Sequence, residues 1–558
     1  MYFRVKRTGP YAYLQIVRSQ RTDGHVRQHV LTTLGRLDVL QASGQLDRLM
    51  RSGLRHCEKL RVLDAQEAGK IEPVSIQSIG PDLVFGRVWN DLGLPEILAE
   101  LLDGRRFEFS VERAIYLTVL HRLFASGSDR AAERWREDYR ISDADGLELH
   151  HLYRAMAWLG EPLENEESIP GTPRVIKDRI EEALYDRKRD LFSGVDLVFF
   201  DTTSIYFEGE GGQTLGAYGH SKDNRPDLKQ MIVGMAMDSE GRPLCCELWP
   251  GNTADAKTLL PVVERMKKRF RIQRVGIVAD RGMISEESMA ALESANPPVY
   301  YILGARMRRQ KEVRDIVLRS RSPWLEIYPQ RSSAKDPSPL KIREVHVDGR
   351  RYVVCLNEEQ RRKDAHDRQA ILEHLRLQLK QGAKSLVGNK GYRRYLKTKP
   401  GSGFEIDEEK LKQEARLDGL WVLRTNMDDE AELIARSYKM LWMVEDLIRT
   451  TKSILETRPI YHKRDETIRG HVFCSFLALL LKKSLEDRLR DRDDSWEWGE
   501  VLRGLNQLRE VEAVFQGKGY VLRSALTGHA QQAIRAVRAS IPPTLRESPN
   551  PKSVVPEP

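Results

Sequence analysis

The hydrophobic rhythm of the chain changes several times. Over the first 40 residues apolar and polar positions alternate (Tyr11, Tyr13, Gln15, Val17, then Val26, His29, Leu31), the period of a half-buried strand. Asp23-Gly24 between the two runs is a hairpin turn signal, so a small antiparallel sheet is expected. Across residues 84–192 the period lengthens. Leu94, Ile97, Leu98, Leu101 and Leu102 recur at helical spacing, and residues 115–124 continue it. Trp89-Asn90-Asp91-Leu92-Gly93-Leu94 fits either the opening of a helix-turn-helix or ordinary helix packing.

Residues 195–303 read as strands and helices in turn. Apolar runs at 196–207, 230–237 and 244–249 predict three strands, the last two joined by the turn at 238–243. An amphipathic helix over 254–270, a buried strand at 275–279, a helix at 286–294 and a strand at 299–303 follow. Strands that alternate with helices after a hairpin imply a mixed α/β sheet covered on both faces. Residues 305–418 interrupt it with short strands (341–347, 352–356), a charged helix near 361–380 and a basic tract at 389–399. Core sequence resumes at 419–425, a long helix is expected over 429–455, and an apolar helix over 467–485. Six prolines in the last 18 residues (542, 543, 549, 551, 556, 558) read as a disordered tail. Six regions result: 1–80, small, β-rich and basic; 81–194, helical; 195–304, the first part of the core; 305–418, a basic β-rich insertion; 419–490, the second part of the core; and 491–558, helical with the tail.

Composition narrows the function classes. With 558 residues, 40% hydrophobic and 31% charged, the chain is neither fibrous nor mostly disordered. The longest apolar run, 473–481, is too short to span a bilayer, which needs about 20 apolar residues. The N-terminus lacks the apolar core of a secretory signal, so a soluble cytoplasmic protein with no membrane partner is expected. Cys57, Cys245, Cys246, Cys355 and Cys474 form no metal-ligand pattern and fit reduced thiols packed as small hydrophobes. The net charge of +9 is unevenly spread. Residues 306–399 hold 25 basic and 11 acidic residues, a net +14, and residues 1–60 a net +7, leaving the remainder at −12. Two basic blocks around a mildly acidic body are the footprint of a polyanion binder.

Three acidic residues occupy unusual places. Asp201 sits inside the most apolar strand, in FFDTTSIYF, and Asp280 ends the second buried strand, in VADRGMIS. A buried ionised carboxylate without a partner costs several kcal/mol, so each calls for a cation, a metal or an open cleft. Active-site groups in open sheets collect at the ends of neighbouring strands. On the expected long helix Tyr438, Glu445 and Lys452 are seven apart and share a face, drifting about 20° per step. That stripe is open to two readings, a solvated charged face or a site, and Asp446 beside Glu445 leaves the choice of carboxylate open.

Together these segments resemble a DDE transposase of a bacterial insertion sequence, with an RNase H-like core over roughly residues 195–485. The helix is similar to the Tyr-x2-Arg-x3-Glu-x6-Lys signature of that group, and departs from it at Leu441, where the signature has Arg. A phosphate contact made by that arginine would fall to another residue here, with Arg449 the candidate. The stretches GHSKDNRPDLKQMIVGMAMD and WPGNTADAKTLLPVV are also similar to the family, which makes Arg225, Asp227 and Lys229 site neighbours. The basic segment lies where such transposases carry a β-rich insertion. Its Arg306, Arg308, Arg309, Arg361, Arg362, Lys363, Arg393 and Arg394, with Tyr392 and Tyr395 interleaved, are candidate contacts to the phosphates of end DNA, whose affinity would fall steeply with salt.

The resemblance implies a mechanism. Exchange of a DNA phosphodiester needs an activated water or 3′-hydroxyl and a stabilised leaving oxyanion. Two Mg²⁺ ions ~3.5–4 Å apart, with Mn²⁺ able to substitute, serve both, and oxygen ligands suffice for them. Asp201 is expected to bridge the ions, Asp280 and Glu445 to complete one site each, and Tyr438 and Lys452 to hold the backbone near the cut. The expected partners are double-stranded DNA, both element ends and target, and a second copy of the chain in a synaptic complex. Two further readings share the same residues: an RNase H-like nuclease without strand transfer, and a catalytically silent DNA-binding regulator.

Overall fold

The computed structural model describes the chain except residues 23–24, 55–56, 58–72, 164–172, 189–195, 271–274, 284, 296–297, 332, 334–335, 382–394, 400–402, 454, 456, 493–494, 516–517 and 549–558. It forms two compact units: Met1–Gly80 with Trp498–Gln531 and Ser540–Pro558, and Pro81–Glu497 with Gln532–Ala539. The first unit opens with an antiparallel meander of β1 (Tyr2–Thr8), β2 (Tyr11–Thr22) and β3 (His25–Arg36). The hairpin expected from the alternation is β2–β3, with Thr22 opposite His25. β1 adds a strand that the alternation did not announce, turned back by Gly9 at φ +58°, a conformation glycine takes at no steric cost. Two helices, Leu37–Ala42 and Gln45–Leu54, and β4 (Pro73–Ser78) follow.

The larger unit carries a nine-stranded sheet. Its strands are β5 (Asp196–Tyr206), β6 (Gln230–Met237), β7 (Pro243–Pro250), β8 (Val275–Ala279), β9 (Tyr300–Gly304), β10 (Leu325–Tyr328), β11 (Leu340–Val347), β12 (Arg350–Leu356) and β15 (Leu420–Thr425). A separate hairpin pairs β13 (Leu396–Lys399) with β14 (Gly403–Ile406). The sheet order is β10-β11-β12-β15-β9-β8-β5-β6-β7. β5, β6 and β7 form an antiparallel meander, β8 lies parallel to β5, and β9 parallel to β8. This is the mixed sheet that the strand pattern predicts, and it fits the RNase H-like core that the resemblance implies.

Helices Leu259–Arg269 and Glu286–Ser294 cover one face, burying Val198, Phe200, Ile232, Leu259, Val262, Met266, Ile277 and Leu303. Each such side chain contributes about 1.5–3 kcal/mol when fully buried. Helix Trp442–Ser453 packs on β5 and β6. The apolar run at 473–481 lies within helix Asp465–Arg490, which packs against β7 and against helices Val111–Phe124 and Leu149–Leu159. The helical region 81–194 is therefore a layer on the core's own helix within one unit. No described helix is long and apolar enough to cross a membrane. Cys245, Cys246, Cys355 and Cys474 are buried and unbridged, while Cys57 is exposed.

The strands of the basic β-rich insertion continue the core sheet: β12 pairs antiparallel with β15, around a cluster that includes Val313, Val345, Val354 and Val422. Two expectations are corrected. The long helix is two helices, Ala431–Lys439 and Trp442–Ser453. At the junction the amides of Leu441, Met443 and Val444 bond three residues back rather than four, which tightens the turn and rotates the second helix relative to the first. Residues 491–558 are mixed rather than helical. β16 (Arg509–Phe515), β17 (Lys518–Arg523) and β18 (Leu545–Glu547) join β4 in the order β18-β17-β16-β4 around Ala513, Tyr520 and Leu522. β18 falls inside the expected tail, whose residues 549–558 lie outside the described ones.

Candidate active site

Two carboxylates lie on neighbouring segments of the sheet. β5 and β8 run parallel with Phe199 opposite Val278 as the last pair. Two residues further along each chain come Asp201, midway along β5, and Asp280, the first residue past β8, near enough for the Asp280 charge to act on Asp201. The Thr202 amide donates to Asp201 Oδ1 at 2.7 Å. Burial pushes the Asp201 carboxyl up to about 6, with Asp280 and Asp255 adding to the rise while the Lys222 ammonium and the Thr202 amide oppose it. Asp280 is half-buried and accepts a hydrogen bond from the Tyr438 hydroxyl at 3.1 Å. Two of the three expected carboxylates and the tyrosine thus form one connected group.

Glu445 lies in the first turn of helix Trp442–Ser453 and is exposed. Asp446 is also exposed, but it pairs with Arg449 at 3.7 Å and lines a cavity with Met443, Thr450 and Lys483 on another side of the helix. The seven-residue spacing from Tyr438 to Glu445 crosses the helix junction, so their common face is not set by one helix. Lys452 shares the helix with Glu445 and donates to Asp223 Oδ1 at 2.7 Å. Burial draws the Lys452 ammonium's pKa down against the hydrogen bond and charge of Asp223. Leu441, in the signature's arginine position, is only 6% exposed: this place belongs to the core, which is a physical reason for an apolar residue there. Arg449 is exposed and, among the described residues, its guanidinium pairs with Asp446.

Five residues of this neighbourhood escaped the sequence reading. The Thr202 hydroxyl donates to Asp255 Oδ1 at 2.8 Å, and Lys222 Nζ pairs with Asp255 Oδ2 at 3.2 Å. Asp223 receives Lys452 and also pairs with Arg458. Lys222, Asp223 and Asp255 all lie in the two family-like stretches, and an adjacent Lys-Asp pair in a polar loop was the available signal. The expected loop cations are engaged: Arg225 with Asp227 at 2.8 Å, and Lys229 with the Glu210 carbonyl at 3.1 Å.

The basic residues of the insertion divide. Arg308 is bound to Glu414 at 2.8 Å and Arg361 pairs with Glu358 at 3.6 Å, while Arg309, Arg362 and Lys363 are exposed. Tyr395 is buried in a small core with Leu372, Leu375 and Leu411, so it is not free to stack on a base. Tyr392, Arg393 and Arg394 lie outside the described residues. Arg306 donates to the Gly282 carbonyl at 3.3 Å. With Arg309 it lines two cavities, one of about 380 Å³ beside Gly282 and Arg308, the other of about 550 Å³ with Lys311, Arg350 and Arg424. A basic recess therefore begins two residues from Asp280.

Among the described residues, Asp129, His462 and His471 are the group whose ligand atoms lie within 4.8 Å of one another. They do not make a convincing metal centre. His471 Nε2 faces the Thr457 carbonyl at 3.2 Å and must carry the proton, so Nδ1 accepts from Arg122 at 2.9 Å. Burial and the Arg122 charge pull His471 down to about 4. Asp129, which burial alone would push up, is held well below the usual carboxylate range by His462, His471 and Arg122. Both His471 nitrogens are engaged and the Arg122 guanidinium lies beside Asp129, so this reads as a structural network. Asp201, Asp280 and Glu445 do not meet the same spacing.

Two family comparisons bear on this arrangement. The transposase DDE domain family matches residues 193–481, just over half of the chain. The N-terminal domain of IS1634 family transposases matches residues 3–67. Among solved structures, the cryo-EM structure of a piggyBac transposase synaptic complex with hairpin DNA aligns over 77% of this chain and 78% of that one, at 11% identity and a TM-score of 0.35. No curated protein matches the chain in sequence.

Proposed function

We propose, starting from the fact that the chain belongs to the DDE transposase family, that this DNA transposase binds the terminal inverted repeats of its insertion sequence, cleaves the element ends and joins their 3′-hydroxyls to target DNA. The observation that carries the reading is that Asp201 on β5 and Asp280, just past the parallel β8, interact, one of them desolvated and the other held by Tyr438. The family implies divalent metal ions, and the donor set fits hard cations: three carboxylates, with no thiol or imidazole among them. Asp201, Asp280 and Glu445 would hold the ions, and the ligands of two ions need not all lie within the reach of one. When bound, the ions supply Lewis-acid stabilisation and a more acidic nucleophile.

The chain's own residues supply the rest. Tyr438 orients the Asp280 carboxylate. Lys452 offers a point charge to the phosphate beside the cut. Arg449, exposed one turn beyond Glu445, takes the contact that Leu441 does not make. The recess lined by Arg306, Arg309, Lys311, Arg350 and Arg424 carries the end duplex away from the site through its phosphates. Two ends cut together call for two copies of the chain.

The test is cleavage and strand transfer on duplexes carrying the element's inverted repeats, with Mg²⁺ and with chelator, analysed for joined products. Metal-dependent nicks and joined 3′-ends are expected. Cleavage without joining would replace the transposase reading with a nuclease, and sequence-specific binding without any cleavage would replace it with a regulator.

A further inference from the structure

The connection between β5 and β6 reaches two sides of the site with two consecutive residues. Lys222 Nζ donates to the Thr202 carbonyl at 2.8 Å and to the Thr202 hydroxyl at 3.0 Å, next to Asp201 on β5. The Lys222 amide donates to Ser204 Oγ at 2.8 Å, so this residue is fastened to the strand by both side chain and backbone. Asp223 turns the other way, accepting from Lys452 at 2.7 Å and pairing with Arg458. Its side chain is 6% exposed, that of Lys452 11%. Ser221 Oγ accepts the amides of Asp223 and Arg225 and so holds the turn.

We propose that Asp223 is a positioning residue that acts through Lys452, fixing that ammonium, and with it the Glu445 helix, at a set distance from the Asp201 strand. The bonds supply the reasons. A lysine side chain has several free torsions, and a buried carboxylate within hydrogen-bond distance selects one arrangement of them. Lys452 follows Glu445 by seven residues, two turns of the same helix. Pinning it through Asp223 to a loop whose neighbouring residue is bonded to Thr202 ties the helix to β5. Among the described residues, the charged groups that face the Lys452 ammonium are Asp223, Arg458 and Lys222. Asp223 is the one anion among them, so losing its charge leaves three cations around a desolvated space. In that state Lys452 sheds its proton more readily.

The first experiment needs neither DNA nor activity, and so stands apart from the transposase reading. In the full chain, acylation of Lys452 by an amine-selective reagent is followed against pH by peptide mass spectrometry. The Asp223→Asn variant should move the midpoint down by about one pH unit or more, roughly a tenfold rise in reactivity at a fixed pH below it. Arg458→Gln, which removes a competing cation and keeps Asp223, should move it up. An unchanged midpoint in either variant overturns the proposal.

The second experiment rests on the transposase reading. Asp223→Asn should slow end cleavage roughly tenfold while leaving end binding within about twofold, and should add nothing to the loss already caused by Lys452→Ala. Full additivity of the two substitutions would show that Asp223 does not act through Lys452. If the wild-type chain cleaves no end DNA while the acylation midpoints move as stated, the transposase reading fails and the positioning role stands.

Discussion

The larger unit holds two clusters of buried charge that look alike on paper and differ in kind. Around Asp129, an arginine, two histidines, a serine and a threonine close on one another: Arg122 binds the His471 carbonyl at 2.8 Å, and Thr457 binds Ser475 at 2.8 Å. Around Asp201 the network is open. Among the described residues its carboxyl receives only the adjacent amide of Thr202, while Lys222 spends its bonds on Thr202 and Asp255. The first cluster meets a metal-like spacing, but a guanidinium already sits in it and both nitrogens of His471 are engaged. The second has carboxylate oxygens to offer. Proximity of ligand-type atoms is thus a poor guide to chemistry. What separates a joint from a site is whether the polar atoms are already satisfied.

The largest expected effects separate the two clusters by readout. Asp201→Asn, Asp280→Asn and Glu445→Gln should each cut end cleavage by more than about a thousandfold, about 4 kcal/mol of barrier, with end binding nearly unchanged. Asp129→Asn should do the reverse. It leaves Arg122 buried beside no carboxylate, which costs about 3–5 kcal/mol of stability, while the folded fraction still cleaves. Melting temperature and cleavage rate, measured on the same preparations, check both. A stable Asp129→Asn protein that has lost cleavage would mean that the closed cluster is part of the engine.

A second contrast lies in pH, read in the metal-free chain by urea unfolding between pH 4 and 7. The folded Asp201 carboxyl titrates at about 6, above an ordinary carboxylate, so the unfolded chain releases this proton first and the group's contribution falls as pH rises through that window. His471, at about 4 when folded, lies below an ordinary imidazole. The unfolded chain takes up that proton first, and its contribution rises with pH across the same window. Each slope is at most about 1.4 kcal/mol per pH unit. Asp201→Asn should therefore steepen the rise of stability with pH, and His471→Gln should flatten it. Slopes that change the same way in both variants would contradict the assignment.

The parts of this arrangement that were readable in the sequence are those dictated by local pattern. β6 is buried along its whole length, and after Gln230 it is apolar to its end, as a strand hidden on both faces should be, so it could be read directly. The same holds for β8 and for Asp280 at its end. The break at Met440 was hidden because apolar positions keep a helical period through it. The membership of β10–β12 in the core sheet depends on pairing β12 with β15 across the 24-residue helix Glu358–Gln381, and β16 pairs with β4 over more than 400 residues of chain. Register over such separations leaves no periodic trace. Lys222 and Asp223 sit in a polar loop, where charge is expected for solubility alone, so only the fold shows that one faces the strand and the other the helix.

The smallest expected effect concerns the signature position that this chain fills differently. Leu441 is buried at the helix junction, whereas Arg449 stands exposed with a single 3.7 Å pair to Asp446. An exposed pair of this kind contributes about 0–1 kcal/mol, so Arg449→Gln should leave the melting temperature almost unmoved. If Arg449 supplies the phosphate contact, the variant should instead bind end DNA more weakly and lower the slope of log affinity against log salt by about 1. Leu441→Arg should not restore that slope when added to Arg449→Gln, because a guanidinium at 441 would have to leave the core to reach DNA and would cost stability in doing so. Titrations of the single and double variants at several salt concentrations decide the point. Recovery of the wild-type slope in the double variant would mean that position 441 faces the DNA, and that the tightened turn at the junction opens when the duplex is bound.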